Sequence, residues 1–276
     1  MRIEYAKGHG AHNDFVIVPA LDGTPDLAPD EVRLLCDRRA GVGADGVLRV
    51  TYGRQIADWQ GDPDLLFMDY RNADGSPAAT CGNGLRVFAH YVLEHGLAVG
   101  PEVTIGTRAG LYTAWKLADG RYKVNIGKIT VANSDTWTGL DERRFKAIAV
   151  NVGNPHAVAL LRPTDSVAAL DLSEEPDYDR AVFPQGVNCE FARALAPGLF
   201  EMRVYERGVG ETLACGTGAV ATAVAYAHSA GLIGQELKLA FNMLGGRLDI
   251  ELNADSQAYL IGPAVINAHG VFEGTE

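Results

Sequence analysis

The segments Thr80-Cys-Gly-Asn-Gly84 and Ala214-Cys-Gly-Thr-Gly218 are two copies of one short pattern, 134 residues apart. Each runs into an apolar stretch with helical spacing: Leu85, Phe88, Ala89, Val92 and Leu93 after the first, Ala219, Val220, Ala223, Val224 and Ala227 after the second. Gly96 and Gly231 stop these stretches. A second echo supports the first. Asn13 and Asn154 both precede an apolar run, and they lie 141 residues apart. Two echoes in the same order and at similar offsets constrain the chain to two copies of one design, each built around a helix with a cysteine at its start.

Around these helices the chain reads as short strands rich in Val, Ile, Phe and Tyr, separated by Gly or Asp. The clearer ones cover residues 15–18, 65–70, 111–117 and 122–126 in the first half, and 47–50 also reads as strand. In the second they cover 145–152, 157–161, 200–205 and 247–252. A further helix is expected over 29–39, with Asp30 and Glu31 in its first turn and Arg38 and Arg39 near its end, a polarity that suits the helix dipole. The expected fold is α/β, with two pseudo-symmetric domains, each an antiparallel-rich curved sheet or barrel around a central helix. The boundary is set at 120, giving 1–120 plus about 264–276 as the first domain and 121–263 as the second.

At 276 residues with 47% hydrophobic and 21% charged residues, the chain has the profile of a folded globule. A net charge of -11 without a basic stripe argues against a nucleic-acid partner. No apolar stretch is long enough to cross a bilayer, and the first ten residues lack the apolar core of a secretory signal. The four cysteines, Cys36, Cys81, Cys189 and Cys215, form no Cys-x-x-Cys pair, so neither a zinc site nor a disulfide scaffold is expected. The setting expected is reducing and cytoplasmic.

The reactive form of cysteine is the thiolate, and the free N–H groups and dipole at a helix start stabilise it. The glycines leave backbone N–H groups open to an anion, and a substrate carboxylate is the natural candidate. Two such starts acting on one substrate would grip its carboxylate and offer a sulfur on each side of the adjacent carbon. One thiolate would remove the α-proton from one face while the opposite thiol protonates the other, inverting the stereocentre with no cofactor or metal. Cys36, beside Leu34 and Leu35, and Cys189, which has no glycine frame, read as ordinary buried thiols.

These segments resemble the diaminopimelate epimerase family. The matching stretches, in the family's order, are Lys7-Gly-His-Gly-Ala-His-Asn-Asp-Phe15, Asp69-Tyr-Arg-Asn-Ala-Asp-Gly-Ser76, Cys81-Gly-Asn-Gly84, Gly153-Asn-Pro-His156, Gly186-Val-Asn188 and Tyr205-Glu-Arg-Gly-Val-Gly-Glu-Thr212, the last leading into Cys215-Gly-Thr-Gly218. The resemblance implies an isomerase that converts LL-2,6-diaminopimelate to the meso form, in lysine and peptidoglycan precursor biosynthesis. It places the catalytic thiols at Cys81 and Cys215, with the site in a cleft between the domains. The reacting carboxylate would be held by Gly82, Asn83, Gly216 and Thr217, and the rest of the substrate by Asn13, Asn72, Asn154, Asn188, Glu206 and Arg207. A planar guanidinium such as Arg207 suits a distal carboxylate. His156 matches a family histidine that would polarise or orient Cys215, whereas His9 and His12 are read as structural or exposed. The family is commonly a homodimer.

Three departures stand out. Many relatives carry Gln where this chain has Gly46, so a side-chain contact to substrate is absent there or is made by another group. Thr217 replaces a common Ser and keeps the hydroxyl; Leu244 stands where Pro often precedes the Gly245-Gly246 pair and is read as a turn variation. Residues 41–46 fit G-x-G-x-x-G, yet a helix and not a strand is expected before them, which argues against a dinucleotide site. Proline racemase, built on the same two-thiol logic, typically has a His inside the first cysteine motif, where this chain has Asn83. A non-catalytic relative would be expected to have lost one of the two motifs.

Overall fold

The computed structural model describes residues 1–21, 24 and 26–274, with backbone only at 133 and 134. The chain forms two compact units, Met1–Val124 with Gly262–Glu276, and Asn125–Ile261. Residues 275 and 276 of the expected first domain lie outside the described residues.

The first unit runs β1 (Arg2–Gly10), β2 (Asn13–Pro19), α1 (Pro29–Cys36), β3 (Gly46–Tyr52), β4 (Leu66–Asn72), α2 (Gly82–Glu94), β5 (Glu102–Thr107), β6 (Gly110–Lys116) and the start of β7 (Tyr122–Lys128). The second runs β8 (Thr130–Leu140), β9 (Arg143–Asn151), β10 (Pro155–Leu160), β11 (Asp177–Tyr178), β12 (Asn188–Ala196), β13 (Leu199–Glu206), β14 (Gly210–Thr212), α3 (Gly216–Ser229), β15 (Leu237–Met243), β16 (Gly246–Leu252) and β17 (Gln257–Gly262). Finally β18 (Val265–Glu273) pairs antiparallel with β1, returning the chain end to the first unit.

The pseudo-symmetry is visible in the strand pairing. In the first unit β1–β2 is antiparallel, β2–β3 parallel, β3–β4 antiparallel, β4–β5 parallel and β5–β6 antiparallel. In the second, β9–β10, β10–β12, β12–β13, β13–β15 and β15–β16 repeat that sequence of senses. The helices α2 and α3 sit in equivalent crossovers, between the parallel strands β4 and β5 and between β13 and β15. A parallel pair needs such a crossover, and a helix covers the sheet as it returns. Register then fixes equivalent positions. Phe15 faces Gly46 and Leu48 faces Tyr70, as His156 faces Asn188 and Glu190 faces Val204.

Both central helices are buried nearly all the way round, so α2 has no broad polar face. Leu85, Val87, Phe88 and Val92 of α2 are inaccessible to solvent, and burying each such side chain stabilises the fold by about 1.5–3 kcal/mol. The small side chains of α3 let strands approach closely on every side. Helix α1 is shorter than its pattern suggests. It closes at Cys36, where Asp37 turns extended and its carboxylate accepts from the N–H groups of Arg39 and Ala40. Arg38 and Arg39 therefore follow the helix instead of ending it, and the basic residue of the last turn is Arg33.

Candidate active site

The two cysteines of the repeated motif are the N-cap residues of α2 and α3. Cys81 and Cys215 have extended backbone, and each sulfur accepts from the N–H of the third helical residue, Gly84 at 3.4 Å and Gly218 at 3.3 Å. The N–H groups of Gly82 and Asn83, and of Gly216 and Thr217, belong to the same first turns, where helix geometry provides no acceptor within the helix. Each sulfur thus stands beside a pair of donors suited to a carboxylate. Glycine at the third position is needed for a close approach. A Cβ on Gly84 would lie 3.2 Å from Leu48, and one on Gly218 would lie 2.9 Å from a Glu190 oxygen.

In the Cys81 half, Asn13 starts β2 and directs its amide oxygen at the sulfur, 3.6 Å away, while also accepting from Asn83 Nδ2 at 3.2 Å. The Asn83 oxygen accepts from Arg86 Nη2 at 2.8 Å, so this side chain is committed within the protein, and Asn83 faces a ligand through its backbone. Asn72, at the end of β4, donates to Ser76 Oγ at 3.0 Å. Arg86 has no solvent exposure, and its other acceptors, the carbonyls of Gly82 and Pro263, are neutral. Burial pushes its pKa down to about 10, with the neighbouring Cys81 acting in the opposite direction, so at neutral pH Arg86 is a buried cation behind the sulfur.

The Cys215 half has the opposite electrostatic character. Cys215 is buried, and its pKa is pushed well above the ordinary value, first by desolvation and then by the carboxylates of Glu206 and Glu190. Contacts with Thr217 Oγ1, at 3.4 Å, and the Gly218 N–H offset this only in part. Cys215 is therefore a thiol at neutral pH. His156 does not hydrogen-bond the thiol. Its Nδ1 lies 2.7 Å from Glu190 Oε1 and its Nε2 lies 2.9 Å from Asn154 Oδ1, so it fixes Glu190 and Asn154. Glu190 and His156 are both fully buried, Glu190 Oε2 has no hydrogen-bond partner, and burial pushes the Glu190 pKa up. Asn188 accepts from the Arg207 N–H at 2.8 Å, and Glu206 accepts from the Thr212 hydroxyl at 2.5 Å. Arg207 Nη1 donates to the Gln185 carbonyl at 3.2 Å.

The fold thus gathers Asn13, Asn83 and Cys81 in one half, and Asn154, His156, Asn188, Glu206, Arg207, Thr217 and Cys215 on neighbouring strand ends and the α3 start in the other. Sequence reasoning missed Arg86, Glu190 and Asp45. A charge inside an apolar helix or strand was the available clue to the first two. Asp45 lay in a glycine-rich segment that invited only a loop reading.

The other residues noted in the sequence have local surroundings of their own. Cys36 and Cys189 are buried, with pKa values raised by burial to about 11 and about 12. His9 stacks on His12 with ring centroids 5.1 Å apart. At Gly46 a Cβ would come within 2.5 Å of the Arg71 carbonyl oxygen and 2.7 Å of the Tyr70 ring, so the Tyr70 ring occupies the volume a longer side chain would need. Residues 41–46 follow helix α1 and lead into β3, the wrong order for a dinucleotide loop. Leu244 lies in the turn between β15 and β16.

Comparison with solved structures defines the class. A phenazine biosynthesis protein of the PhzF family from Bacillus anthracis matches with a TM-score of 0.74 at 16% identity, covering 99% of both chains. A probable proline racemase from Agrobacterium radiobacter K84 matches with a TM-score of 0.66 at 18% identity, covering 99% of this chain and 93% of that one. At such identities the likeness is one of fold alone, an α/β fold of two similar halves. Sequence goes further. The diaminopimelate epimerase family model matches residues 5–132 and 148–267, and the diaminopimelate epimerase of Corynebacterium glutamicum is 41% identical over 275 residues, 98% of each chain. The chain belongs to the diaminopimelate epimerase family. It is an enzyme, an isomerase acting on an amino-acid-like small molecule.

Proposed function

We propose that the protein epimerises one α-carbon of LL-2,6-diaminopimelate to give the meso isomer. The observation that carries this reading is the pair of cysteine N-caps, each beside first-turn N–H donors, in a chain so similar to named diaminopimelate epimerases. The N–H groups of Gly82, Asn83, Gly216 and Thr217 bind the reacting carboxylate and stabilise the charge that spreads onto it as the α-proton leaves. Arg207 takes the distal carboxylate, Glu206 and the Asn side chains take the ammonium groups, and recognition of the far end orients the near one.

We assign the resting roles from the charges placed near each sulfur. Buried Arg86 favours a thiolate at Cys81, whereas burial, Glu206 and Glu190 keep the proton on Cys215. Cys81 removes the α-proton as base, and Cys215 donates its proton to the opposite face. The sulfurs exchange protonation states in one turnover, and the reverse reaction begins from the exchanged pair. The reaction requires both sulfurs to reach one carbon in the working enzyme.

The test is to incubate the reduced protein with LL-diaminopimelate in deuterated water and follow inversion and α-deuteration by NMR, with proline as a parallel substrate. Deuteration and inversion of diaminopimelate are expected. Exchange on proline alone would assign the site to a racemase of cyclic amino acids, and exchange on neither would assign a non-catalytic role.

A further inference from the structure

We propose that Asp45, held by Arg38, is a positioning residue for the reaction: it locks the Asn13 amide so that its oxygen, and not its nitrogen, faces Cys81. Asp45 ends the loop before β3 and was not among the site residues read from sequence. Its Oδ2 accepts from Asn13 Nδ2 at 2.8 Å and from the Asp14 N–H at 3.1 Å. Its Oδ1 accepts from Arg38 Nη2 at 2.7 Å. Arg38 is anchored in turn by Asp14, with contacts of 2.8 Å and 3.0 Å, and Lys7 Nζ holds the same carboxylate at 2.6 Å.

The chemistry of these groups allows one amide orientation. A carboxylate is an acceptor only, so the amide must turn its NH2 to Asp45. The opposite side is locked by the same logic. Arg86 can only donate, so it claims the Asn83 oxygen and turns the Asn83 NH2 toward Asn13, where it needs an acceptor. Flipping Asn13 would set oxygen against carboxylate and NH2 against NH2. An unbroken relay, Arg38–Asp45–Asn13–Asn83–Arg86, therefore fixes the group 3.6 Å from the Cys81 sulfur.

The fixed oxygen has a consequence for proton transfer. An amide oxygen accepts from S–H and gives nothing to a thiolate, so it favours Cys81 once that sulfur has taken the α-proton. It also accepts from a substrate ammonium. An unlocked amide could present its NH2 to the thiolate instead, which would stabilise the starting state and weaken the base.

The inference rests on the proposed reaction for its kinetic arm and is independent of it for its chemical arm. In the kinetic arm, kcat/KM for diaminopimelate deuteration is measured for wild type, Asp45→Ala, Asn13→Ala and the double variant. Asp45→Ala is expected to lose about tenfold or more in the wild-type background and less than about twofold in the Asn13→Ala background, the mark of action through Asn13. Asp45→Glu, which keeps the acceptor, should recover part of the loss. In the chemical arm, Cys81 alkylation by iodoacetamide is timed at fixed pH and read by peptide mapping. Asp45→Ala should accelerate it more in the wild-type background than in the Asn13→Ala background, where only the loss of the Asp45 charge remains. Equal changes in the two backgrounds, in either arm, would overturn the proposal. Should Asp45→Ala not fold, Asp45→Asn keeps an acceptor for the Asp14 N–H and enters the same cycle, with smaller but still non-additive effects. A wild-type protein inactive on diaminopimelate that shows the non-additive alkylation pattern would overturn the substrate and leave the positioning role standing.

Discussion

Phe15 and Leu48 occupy the strand positions behind the first turn of α2, whereas His156 and Glu190 occupy the equivalent positions behind α3. Five residues into each helix the contrast is reversed: Arg86 in the first and Val220 in the second, both buried. The backbone plan is duplicated, but the charge placed behind the sulfur is positive in one half and negative in the other. The proposed reaction needs two like groups in unlike protonation states, and this difference would supply that asymmetry without altering the strand scaffold. The duplicated fold provides the two thiols, and in the proposed reaction a few buried side chains would divide their resting roles.

The comparison breaks most directly at the sulfurs. Cys81→Ala and Cys215→Ala should each lower kcat/KM for epimerisation by about 10³-fold, the scale of losing a general acid or base and equivalent to about 4 kcal/mol. The two losses should be similar if base and acid act in one proton relay, as proposed. Retention of activity within about tenfold by either variant would show that one sulfur is dispensable. Oxidation tests the requirement that both sulfurs meet one carbon. A Cys81–Cys215 disulfide should form, abolish activity and reverse with reductant, and an inactive oxidised enzyme with both thiols free would overturn that requirement.

Arg86→Met sharpens the contrast from the positive side. It removes the buried cation and one donor each to the Gly82, Asn83 and Pro263 oxygens, at a stability cost of about 1–3 kcal/mol for a buried acceptor that loses its partner. The alkylation midpoint of Cys81 should rise by about one pH unit or more, since a nearby positive charge no longer favours the thiolate. At neutral pH kcat/KM should fall by about tenfold or more. A variant that loses stability while its Cys81 titration stays in place would reduce Arg86 to a structural role.

How much of this was legible in the sequence depended on the range of the interaction. The cysteine helices and many of the strands were readable because glycine frames and apolar periodicity are local. So was the placement of Cys81 and Cys215 at helix starts. Strands β1, β5, β8, β12, β15, β17 and β18 and the short β11 and β14 were not singled out, and α1 was read too long because Asp37, which turns the chain, looks like one more polar residue of a helix. The electrostatic asymmetry was not readable at all. Leu48 and Glu190 become equivalent only through strand register, and Arg86 becomes significant only through its burial. His156 was expected to polarise or orient Cys215, yet its two ring nitrogens face Glu190 and Asn154 instead.

The equivalent slots Gly46 and Asn188 offer a test on stability. Asn188 can hold a side chain because that side chain accepts from the Arg207 N–H. At Gly46 the Tyr70 ring and the Arg71 carbonyl already fill the space. Gly46→Ala should therefore cost about 1–3 kcal/mol, read as a lower midpoint in urea. In a Tyr70→Ala background the penalty should shrink but not vanish, because the backbone oxygen remains 2.5 Å from the new Cβ. A Gly46→Ala variant as stable as wild type would mean that this half has room for a Cβ at the slot where its counterpart carries Asn188.

The smallest expected effect probes the negative side. At pH 8 iodoacetamide should label Cys81 before the other three thiols, since Cys36 and Cys189 are raised to about 11 and about 12 and Cys215 is raised as well. Glu190→Gln removes one carboxylate from beside Cys215 while keeping a polar partner for His156. With less negative charge nearby the Cys215 pKa falls, the thiolate fraction at pH 8 grows, and its alkylation should quicken severalfold relative to Cys36. Desolvation, the largest cause of the shift, is unchanged, so Cys215 should still react after Cys81. The difference between Glu190→Gln and wild type should also fade as the pH is lowered through the raised Glu190 pKa, because wild-type Glu190 is then neutral too. A Cys215 rate that ignores Glu190→Gln at every pH would leave burial and Glu206 to hold its proton, and would confine Glu190 to fixing His156 and, through it, Asn154.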